Sequence, residues 1–155
     1  MSRLSTTKSG VVTDREFLSQ RSVEVLTLNE ISAMKDILRQ ALGDQKNCAG
    51  LAAIQVGFPV RMAIFKDAGK VKYLVNPTIT ERSGSQTNSE GCMSFPGMNL
   101  SVVRSKYITI ESEGLVKFFH GFTAAVILHE IDHMNGITII QRRKESRKAK
   151  RRNRK

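Results

Sequence analysis

The stretch AAVILHEIDHMNGITII, residues 124–140, decides the interpretation of this chain, because an apolar segment carries His-Glu-Ile-Asp-His at residues 129–133. Positions four apart lie on the same face of a helix, so His129 and His133 can bind one metal ion. Glu130 follows the first histidine, where its carboxylate can exchange protons with a water molecule beside the ion. The structural alternative is two polar residues on the flank of a helix. The motif favours metal-assisted hydrolysis.

The positive charge of the chain is concentrated at its C-terminal end. Residues 142–155 contain ten Lys or Arg and one Glu, so they hold +9 of the formal net charge of +11. Such a run is typically solvated and disordered, and its alternative role is to attract nucleic acid or another anionic surface. A chain of 155 residues allows one domain with one core. We therefore predict a mobile N-terminus over residues 1–13, a single domain over residues 14–141 and a basic tail over residues 142–155.

The composition also limits the cellular compartments in which we expect the protein. No apolar stretch of the sequence is long enough to cross a bilayer, and the N-terminus has no hydrophobic signal core. The Ser/Thr-rich residues 1–22 have a faint similarity to a transit peptide, which Asp14 and Glu16 oppose. We therefore expect a reducing cytosol, where Cys48 and Cys92 are metal ligands or small buried residues and not a disulfide.

Apolar periodicity and turn residues predict two helices among short, locally paired strands. Thr27 and Glu30 have the spacing of a capping box, and apolar residues follow at helical spacing over residues 28–42. A second helix is predicted over residues 124–135, with Thr123 as its N-cap. Strands are predicted over residues 60–65, 70–76, 102–112, 115–119 and 137–140, and a polar loop over residues 81–89. The fold class is α+β with mainly antiparallel sheet.

The helix motif needs a third protein ligand, with a fourth position left open for water. Metalloproteases with the pattern HExxHxxGxxH would need a histidine where this chain has Ile139. Those with a downstream glutamate would have to use Glu145, which lies in the basic tail. Upstream, residues 90–94 place Cys92 in a Gly-flanked segment, and a thiolate is a strong ligand for soft or borderline metals. We interpret Cys92 as the third ligand, the alternative being a small buried thiol.

A segment of small residues precedes both motifs, at residues 48–55. Small side chains let two backbones approach closely, and Gln55 at its end offers an amide N–H that suits a developing oxyanion. Such segments are also common in buried turns, so this one carries little information alone.

Together, the three segments resemble the motifs of the peptide deformylase family, which read GxGxAAxQ, EGCxS and HExDH in this order. They stand here as CAGLAAIQ at residues 48–55, EGCMS at 90–94 and HEIDH at 129–133. The resemblance implies a peptide-deformylase-like α+β fold, with mainly antiparallel sheets packed around a central HExxH helix. It also implies an enzyme, a metallohydrolase that removes the formyl group from the N-terminal formyl-methionine of nascent polypeptides and releases formate.

The resemblance assigns roles to individual residues. Cys92, His129 and His133 would hold one divalent metal ion, Fe(II) in the cell, with zinc, nickel or cobalt as alternatives in purified protein. Glu130 would act as general base and acid, while Gln55 and the backbone N–H of Met93 would stabilise the oxyanion. The implied substrate-binding residues are Ala49, Gly50, Gly91, Arg104, Ala125 and Val126. For Arg104, a structural ion pair, for example with Glu90, is an equal alternative.

Three features depart from the family pattern. Cys48 stands where the family usually has Gly, which can bring a second thiol near the site, and Leu128 stands where many members have Gln. The chain resembles a compact member that lacks the long C-terminal helix of many bacterial members. Its basic tail can replace that helix in binding the ribosome or RNA.

Two other functions remain open. A generic zinc endopeptidase would cleave an internal amide and would not need Cys92. A binding protein built on the same scaffold would use the basic tail as its working part. For the enzyme, N-formyl-methionyl peptides are the expected substrates, with no membrane partner. The cytoplasm of a bacterium, or of the host cell if a virus encodes the chain, is the expected location.

Overall fold

A computed structural model describes residues 4–43, 45 and 47–154. It contains the helices α1 (Arg15–Leu18), α2 (Leu28–Gly43), α3 (Gly121–Met134) and α4 (Ile139–Arg152). The strands are β1 (Gly50–Ala52), β2 (Met62–Asp67), β3 (Lys70–Val75), β4 (Thr78–Ser83), β5 (Gln86–Gly91), β6 (Asn99–Arg104), β7 (Tyr107–Ser112) and β8 (Leu115–His120). A short 3₁₀ turn, Ala53–Val56, follows β1.

The strands form three antiparallel groups. These have the orders β1-β2-β3, β4-β7-β8 and β5-β6. The connection between β2 and β3 is a two-residue turn in which Ala68 and Gly69 both have positive φ. Such turns match the right-handed twist of the paired strands. The α+β class with antiparallel sheets is therefore confirmed.

Helix α3 contains the HEIDH motif and is almost entirely buried. Its residues from Ala124 to Met134 are all inaccessible to solvent or nearly so, and Ile127 and Ile131 pack in a core with Phe65 of β2 and Ile110 of β7. A helix that is apolar on most of its circumference is typical of a protein interior. The burial places the polar side chains of the motif in a water-poor environment, where each of them needs a partner or a function.

The capping box at the start of α2 is confirmed, because Thr27 and Glu30 exchange side-chain hydrogen bonds with each other's backbone N–H groups. The prediction of a polar loop over residues 81–89 is wrong. Nearly all of these residues lie in β4 and β5, where Gln86, Asn88 and Glu90 are half-buried while their neighbours are exposed. Because the inward-facing residues of β5 are themselves polar, the stretch has no alternation of apolar residues to reveal it.

The N-terminal segment is packed, in contrast to the mobile segment predicted over residues 1–13. Val11 and Val12 are buried, and the Val12 N–H donates to the backbone carbonyl of Gln55. The Thr7 N–H donates to the carbonyl of Val11, which closes a turn. Two valines after a glycine form too short a run to show periodicity, so the sequence did not reveal this contact. Residues 1–3 lie outside the described residues.

The C-terminal region is helical over Ile139–Arg152, so the predicted strand over residues 137–140 is wrong, and the basic tail predicted over residues 142–155 is helical as far as Arg152. Thr138 and Gln141 form a capping box at the start of α4. The helix packs along β6, where the Ser146 hydroxyl accepts a hydrogen bond from the Val103 N–H. The chain therefore has a C-terminal helix, which its resemblance to compact family members did not predict. Among the described residues, no helix is long and apolar enough to cross a membrane.

Candidate metal centre and cleft

Three side chains converge as the sequence predicted. The ligand atoms of Cys92, His129 and His133 lie within 4.8 Å of one another, and Cys92 Sγ is 3.3 Å from His133 Nε2. Cys92 begins the turn between β5 and β6, and both histidines project from α3. A soft thiolate and two imidazoles in this arrangement fit a divalent transition metal, with room for a further ligand.

The two histidines favour the deprotonated form of the Cys92 thiol, which is the form that metal binding requires. Burial by itself raises the pKa of the Cys92 thiol, but the positive charge of His133 and the hydrogen bonds from both histidines bring its pKa well below the usual value. Burial likewise acts to lower the pKa of His129, and hydrogen bonds to Cys92 and Glu90 raise it well above the usual value. The surroundings therefore favour the thiolate form of the sulfur, which is the form that binds metals.

Glu130 lies beside the candidate metal ligands in a tight space. Its side chain is buried, and burial raises its pKa to about 6, although the nearby His129 and His133 act in the opposite direction. A Cβ placed on Gly50 of β1 would lie 2.7 Å from Glu130 Oε1, so glycine at this position makes room for the carboxylate. Oε2 is buried and has no hydrogen-bond partner among residues 4–43, 45 and 47–154. A carboxylate with a raised pKa and a free oxygen is suited to proton transfer near neutral pH.

Gln55 is fixed at the edge of the same centre. Its Oε1 accepts a hydrogen bond from the Ala52 N–H at 2.9 Å, which leaves Nε2 as the donor that faces the site. Nε2 lies 3.1 Å from Ser94 Oγ and 3.5 Å from Cys92 Sγ. The structure thus brings Gln55 next to Cys92, one of the candidate metal ligands. It adds Ser94, a buried residue of the EGCMS motif that the sequence reasoning did not single out.

Arg104 lies behind the centre and takes part in a buried network of ion pairs. Its guanidinium donates to both carboxylate oxygens of Glu90, at 2.6 and 2.8 Å, and to Asp132 at 2.7 Å. Glu90 Oε1 also lies 3.0 Å from His129 Nδ1, and Arg142 of α4 pairs with Asp132. Arg104 is not among the residues that line the cleft, and it forms the ion pair with Glu90 that the sequence offered as the alternative to substrate binding.

This network orients His129, one of the three candidate metal ligands. Burial acts to raise the pKa of Glu90, but the hydrogen bonds from His129 and Arg104 lower it to about 2. The ionised carboxylate fixes Nδ1 of His129 and leaves Nε2 for the metal, as is usual for the carboxylate partner of a ligating histidine.

A cleft of about 720 Å³ opens onto the centre. Its lining includes the remaining predicted residues, Ala49, Gly50, Gly91, Met93, Ala125 and Val126. It also includes residues that the sequence reasoning missed, among them Thr7, Lys8, Ser9, Asn88, Phe95, Pro96, Met98 and Phe122. Phe122, at the start of α3, lines the cleft and is exposed to solvent.

The departures from the family pattern at Cys48 and Leu128 have separate structural explanations. The Cys48 Sγ–H donates to the backbone carbonyl of Gly50 at 2.9 Å, and burial raises the pKa of this thiol to about 12. Cys48 lines the cleft as a neutral side chain and does not belong to the group of candidate metal ligands. Leu128 is buried in the core beside Ile127 and Ile131.

Comparisons with known proteins agree with this geometry. The profile of the family described as polypeptide deformylase matches residues 11–149. Peptide deformylase 1 of Bacillus cereus is 43% identical over 96 residues, which is 57% of this chain and 61% of that protein. The peptide deformylase of Clostridium beijerinckii is 32% identical over 136 residues, which is 83% of this chain and 97% of that protein.

Solved structures show the same likeness. The crystal structure of peptide deformylase from Thermotoga maritima superposes with a TM-score of 0.76 and 27% identity, over 92% of this chain and 97% of that one. A probable peptide deformylase from Synechococcus phage S-SSM7 also gives a TM-score of 0.76, with 32% identity over 92% of this chain and 99% of that one.

Proposed function

The chain belongs to the polypeptide deformylase family, whose members remove the formyl group from the N-formyl-methionine of nascent peptides, and we propose that Cys92, His129 and His133 hold the metal for this reaction. The observation that carries the proposal is the convergence of these three side chains beside Glu130, next to a cleft of about 720 Å³ that Cys92, His129 and Glu130 help to line. An endopeptidase would not require the cysteine at this position.

A bound divalent ion would polarise the formyl carbonyl and make a water molecule more acidic. The Cys-His-His set suits iron, zinc, nickel or cobalt, and we propose Fe(II) as the ion in the cell. The assignment to Cys92 rests on its sulfur lying 3.3 Å from His133 Nε2, and that to the histidines on their common face of α3.

The remaining groups of the site act on protons and on the oxyanion. Glu130 accepts a proton from the attacking water and delivers it to the amine that leaves, so that the products are formate and a free N-terminus. Gln55 Nε2 and the backbone N–H of Met93 donate to the oxygen that becomes negatively charged, and one such donor typically accounts for about 3 kcal/mol of the barrier. The rigid support of Gln55 by Ala52 favours this role, because a fixed donor needs no reorganisation.

The peptide lies extended along the cleft. Ala49 and Gly50 on one side and Gly91 on the other leave backbone groups accessible for strand-like pairing. The methionine side chain enters an apolar part of the cleft beside Met93, Ala125 and Val126.

Substitution of Cys92 tests the assignment. Protein purified without oxygen should contain one metal ion per chain and release formate from formyl-Met-Ala-Ser. Cys92→Ser should lose most of the metal and the activity. Cys48→Ser is the matched control, because a hydroxyl can still donate to the Gly50 carbonyl, and it should keep the metal. Metal-loaded wild-type protein that released no formate, or that cleaved internal amides instead, would contradict the proposal.

We further propose that α4 binds the ribosome or RNA in the cytoplasm of a bacterium, or of a host cell. Arg142 and Ser146 face the domain, whereas the basic residues Lys144, Arg147, Lys148, Lys150, Arg151 and Arg152 are exposed. An exposed basic helix attracts phosphate groups in a salt-dependent manner. Deletion of residues 147–155 preserves the Arg142–Asp132 pair and should abolish salt-sensitive sedimentation with ribosomes. Formate release from a short peptide should change little, and full sedimentation by the truncated protein would contradict this role.

A further inference from the structure

The N-terminal turn, which we define as residues 7–11, contributes Lys8 and both of its neighbours to the lining of the cleft. The Gly10 N–H donates to the Thr7 carbonyl at 3.1 Å, and Gly10 has a φ of 84°, which glycine adopts without strain. The Thr7 N–H donates to the Val11 carbonyl at 2.8 Å, and the Val11 N–H donates to the Thr7 hydroxyl at 3.1 Å. These hydrogen bonds fix the backbone from which Lys8 projects.

The N-terminal turn is anchored to the wall of the cleft at two points. The Ser9 hydroxyl donates to Gln45 Oε1 at 2.9 Å, and Gln45 Nε2 donates to the Ser9 carbonyl at 3.5 Å. The Val12 N–H donates at 2.8 Å to the backbone carbonyl of Gln55, whose side chain lies next to the candidate metal ligands. Because both anchors are close to Lys8 in the chain, the fold sets the position of Lys8 relative to the site.

Lys8 supplies positive charge at this end of the cleft. Among the lining residues that the structure describes, it is the one Lys or Arg side chain, and it is exposed to solvent. The acidic lining residues lie beside the candidate metal ligands, where Glu90 is ion-paired with Arg104 and Glu130 is buried. The Lys8 ammonium is therefore the charged group that a peptide meets where it leaves the cleft.

The chain segment that ends in β1 leads from the N-terminal turn to the metal centre. At its inner end, a Cβ on Gly50 would lie 2.7 Å from Glu130 Oε1, and residues 47–49 and Gln45 continue the lining away from that point. A peptide that pairs antiparallel with this segment, with its formyl group at the metal centre, advances about 3.3 Å per residue. Its third and fourth residues then lie roughly 7–10 Å beyond the first, near Asn47 and Gln45, and Gln45 contacts the N-terminal turn.

We propose that Lys8 is a specificity-determining residue that favours an acidic side chain at the third or fourth residue of the formylated peptide. The inference rests on the proposed function, because it concerns later residues of the same substrate. The ammonium group of lysine is a compact charge on a flexible stem, so it attracts a carboxylate without requiring one geometry. An ion pair at an exposed position contributes little free energy, so the expected preference is about threefold.

The test compares kcat/KM within two pairs of peptides, formyl-Met-Ala-Asp-Ala-amide with its Asn counterpart and formyl-Met-Ala-Ala-Asp-amide with its Asn counterpart. The amide removes the terminal carboxylate, so the Asp side chain is the only acidic group of the peptide. The wild-type enzyme should prefer the Asp peptide of at least one pair by about threefold, and about 0.5 M salt should remove the preference. The gain should lie in KM and not in kcat, because the ion pair forms away from the reacting atoms.

Variants of Lys8 separate a local contact from the general charge of the chain. Lys8→Ala should remove the preference, Lys8→Glu should reverse it and Lys8→Arg should retain it. Lys70→Ala is the matched control and should keep the preference, because it removes the same charge at an exposed position of β3 outside the cleft lining. Equal losses with Lys8→Ala and Lys70→Ala would show that the net charge of +11 attracts acidic peptides, and would overturn the proposal.

The remaining outcomes distinguish the inference from the proposed function. If the wild type hydrolysed the Asp and Asn peptides of both pairs equally well, the role of Lys8 would be wrong while the deformylase function stood. A preference that survived Lys8→Glu would overturn that role as well. If no peptide released formate from the metal-loaded enzyme, the proposed function itself would fail and the inference with it.

Discussion

The two sides of helix α3 carry similar charged groups, which are unpaired on one side and ion-paired on the other. On the cleft side, Glu130 Oε2 is buried and unpaired within residues 4–43, 45 and 47–154. On the network side, which we define by Glu90, Arg104, Asp132 and Arg142, each charged group has an ion-pair partner. Glu130 and Asp132 are two residues apart in the chain, so the helix alone separates a reactive environment from a stable one.

The difference shows how a buried site can keep an unsatisfied group. An unpaired buried polar atom costs free energy, and the paired network next to it holds the helix and the strand that carry the site. The pKa values of the two carboxylates shift in opposite directions, because that of Glu130 is raised to about 6 and that of Glu90 is lowered to about 2. The following experiments test whether the two sides are as distinct in solution.

The largest effect is expected on the cleft side. Glu130→Gln keeps the size of the side chain but removes the proton acceptor, so kcat/KM for formyl-Met-Ala-Ser should fall by about 10²–10⁴-fold. The metal content should not change, because Glu130 is not among the proposed ligands. Glu111→Gln, at an exposed position of β7, should behave like the wild type. If Glu130→Gln retained its activity, the cleft side would lack the reactive group that we assign to it.

The next effect is expected on the network side. Arg104→Met leaves Glu90 and Asp132 buried without their shared partner, which should lower the free energy of unfolding by about 3–5 kcal/mol. Urea unfolding followed by circular dichroism measures this change. Arg82→Met, at an exposed position of β4, should alter the stability by less than about 0.5 kcal/mol. A small effect of Arg104→Met would show that the network does not stabilise the fold.

The pH dependence of stability should have opposite signs on the two sides. Glu90 has a lowered pKa, so its contribution, about 3 kcal/mol, is present above its usual pKa of 4.5 and is lost as the pH falls towards 2. Glu130 has a raised pKa, so folding is favoured by its protonation below pH 4.5. That advantage, about 2 kcal/mol, is lost as the pH rises through 6.

Urea unfolding of chelator-treated protein between pH 2 and 7 measures both contributions. Glu90→Gln should flatten the loss of stability at acid pH, whereas Glu130→Gln should raise the stability at pH 7 and have little effect below pH 4.5. Two variants with the same pH profile would contradict the distinction between the sides.

The smallest effect concerns the connection of the network side to α4. Ser146→Ala removes the acceptor of the Val103 N–H, which should lower the free energy of unfolding by about 1 kcal/mol. Lys144→Ala, at an exposed position of the same helix, should cause no comparable loss. An equal effect of the two substitutions would mean that the hydrogen bond adds nothing to the packing of α4 on β6.

The sequence predicted the cleft side better than the network side. His129 and His133 share a helical face by their spacing alone, and Glu130 and Cys92 lie in short motifs whose chemistry is recognisable. Arg104 was ambiguous because its partners are 14 and 28 residues away, and only the folded chain brings them together. A local pattern can therefore reveal a ligand pair but not a long-range ion pair.

The elements that escaped prediction have a common cause. β5 presents polar residues to the interior, so its alternation carries no apolar signal, and α4 is so rich in Lys and Arg that its composition is typical of a disordered segment. In both cases a few specific contacts determine the structure, such as Glu90 with His129 and Ser146 with Val103. Composition and periodicity average over such contacts and do not detect them.

The packed N-terminal segment has a practical consequence for protein engineering. Thr7, Lys8 and Ser9 border the cleft, and Val12 is hydrogen-bonded to the backbone of Gln55. An affinity tag or reporter fused in front of this segment would therefore be tethered at the mouth of the cleft, where its high local concentration would compete with peptides in solution. The activity of a cleavable N-terminal fusion, measured before and after cleavage, would therefore show how far the fused segment occupies the cleft.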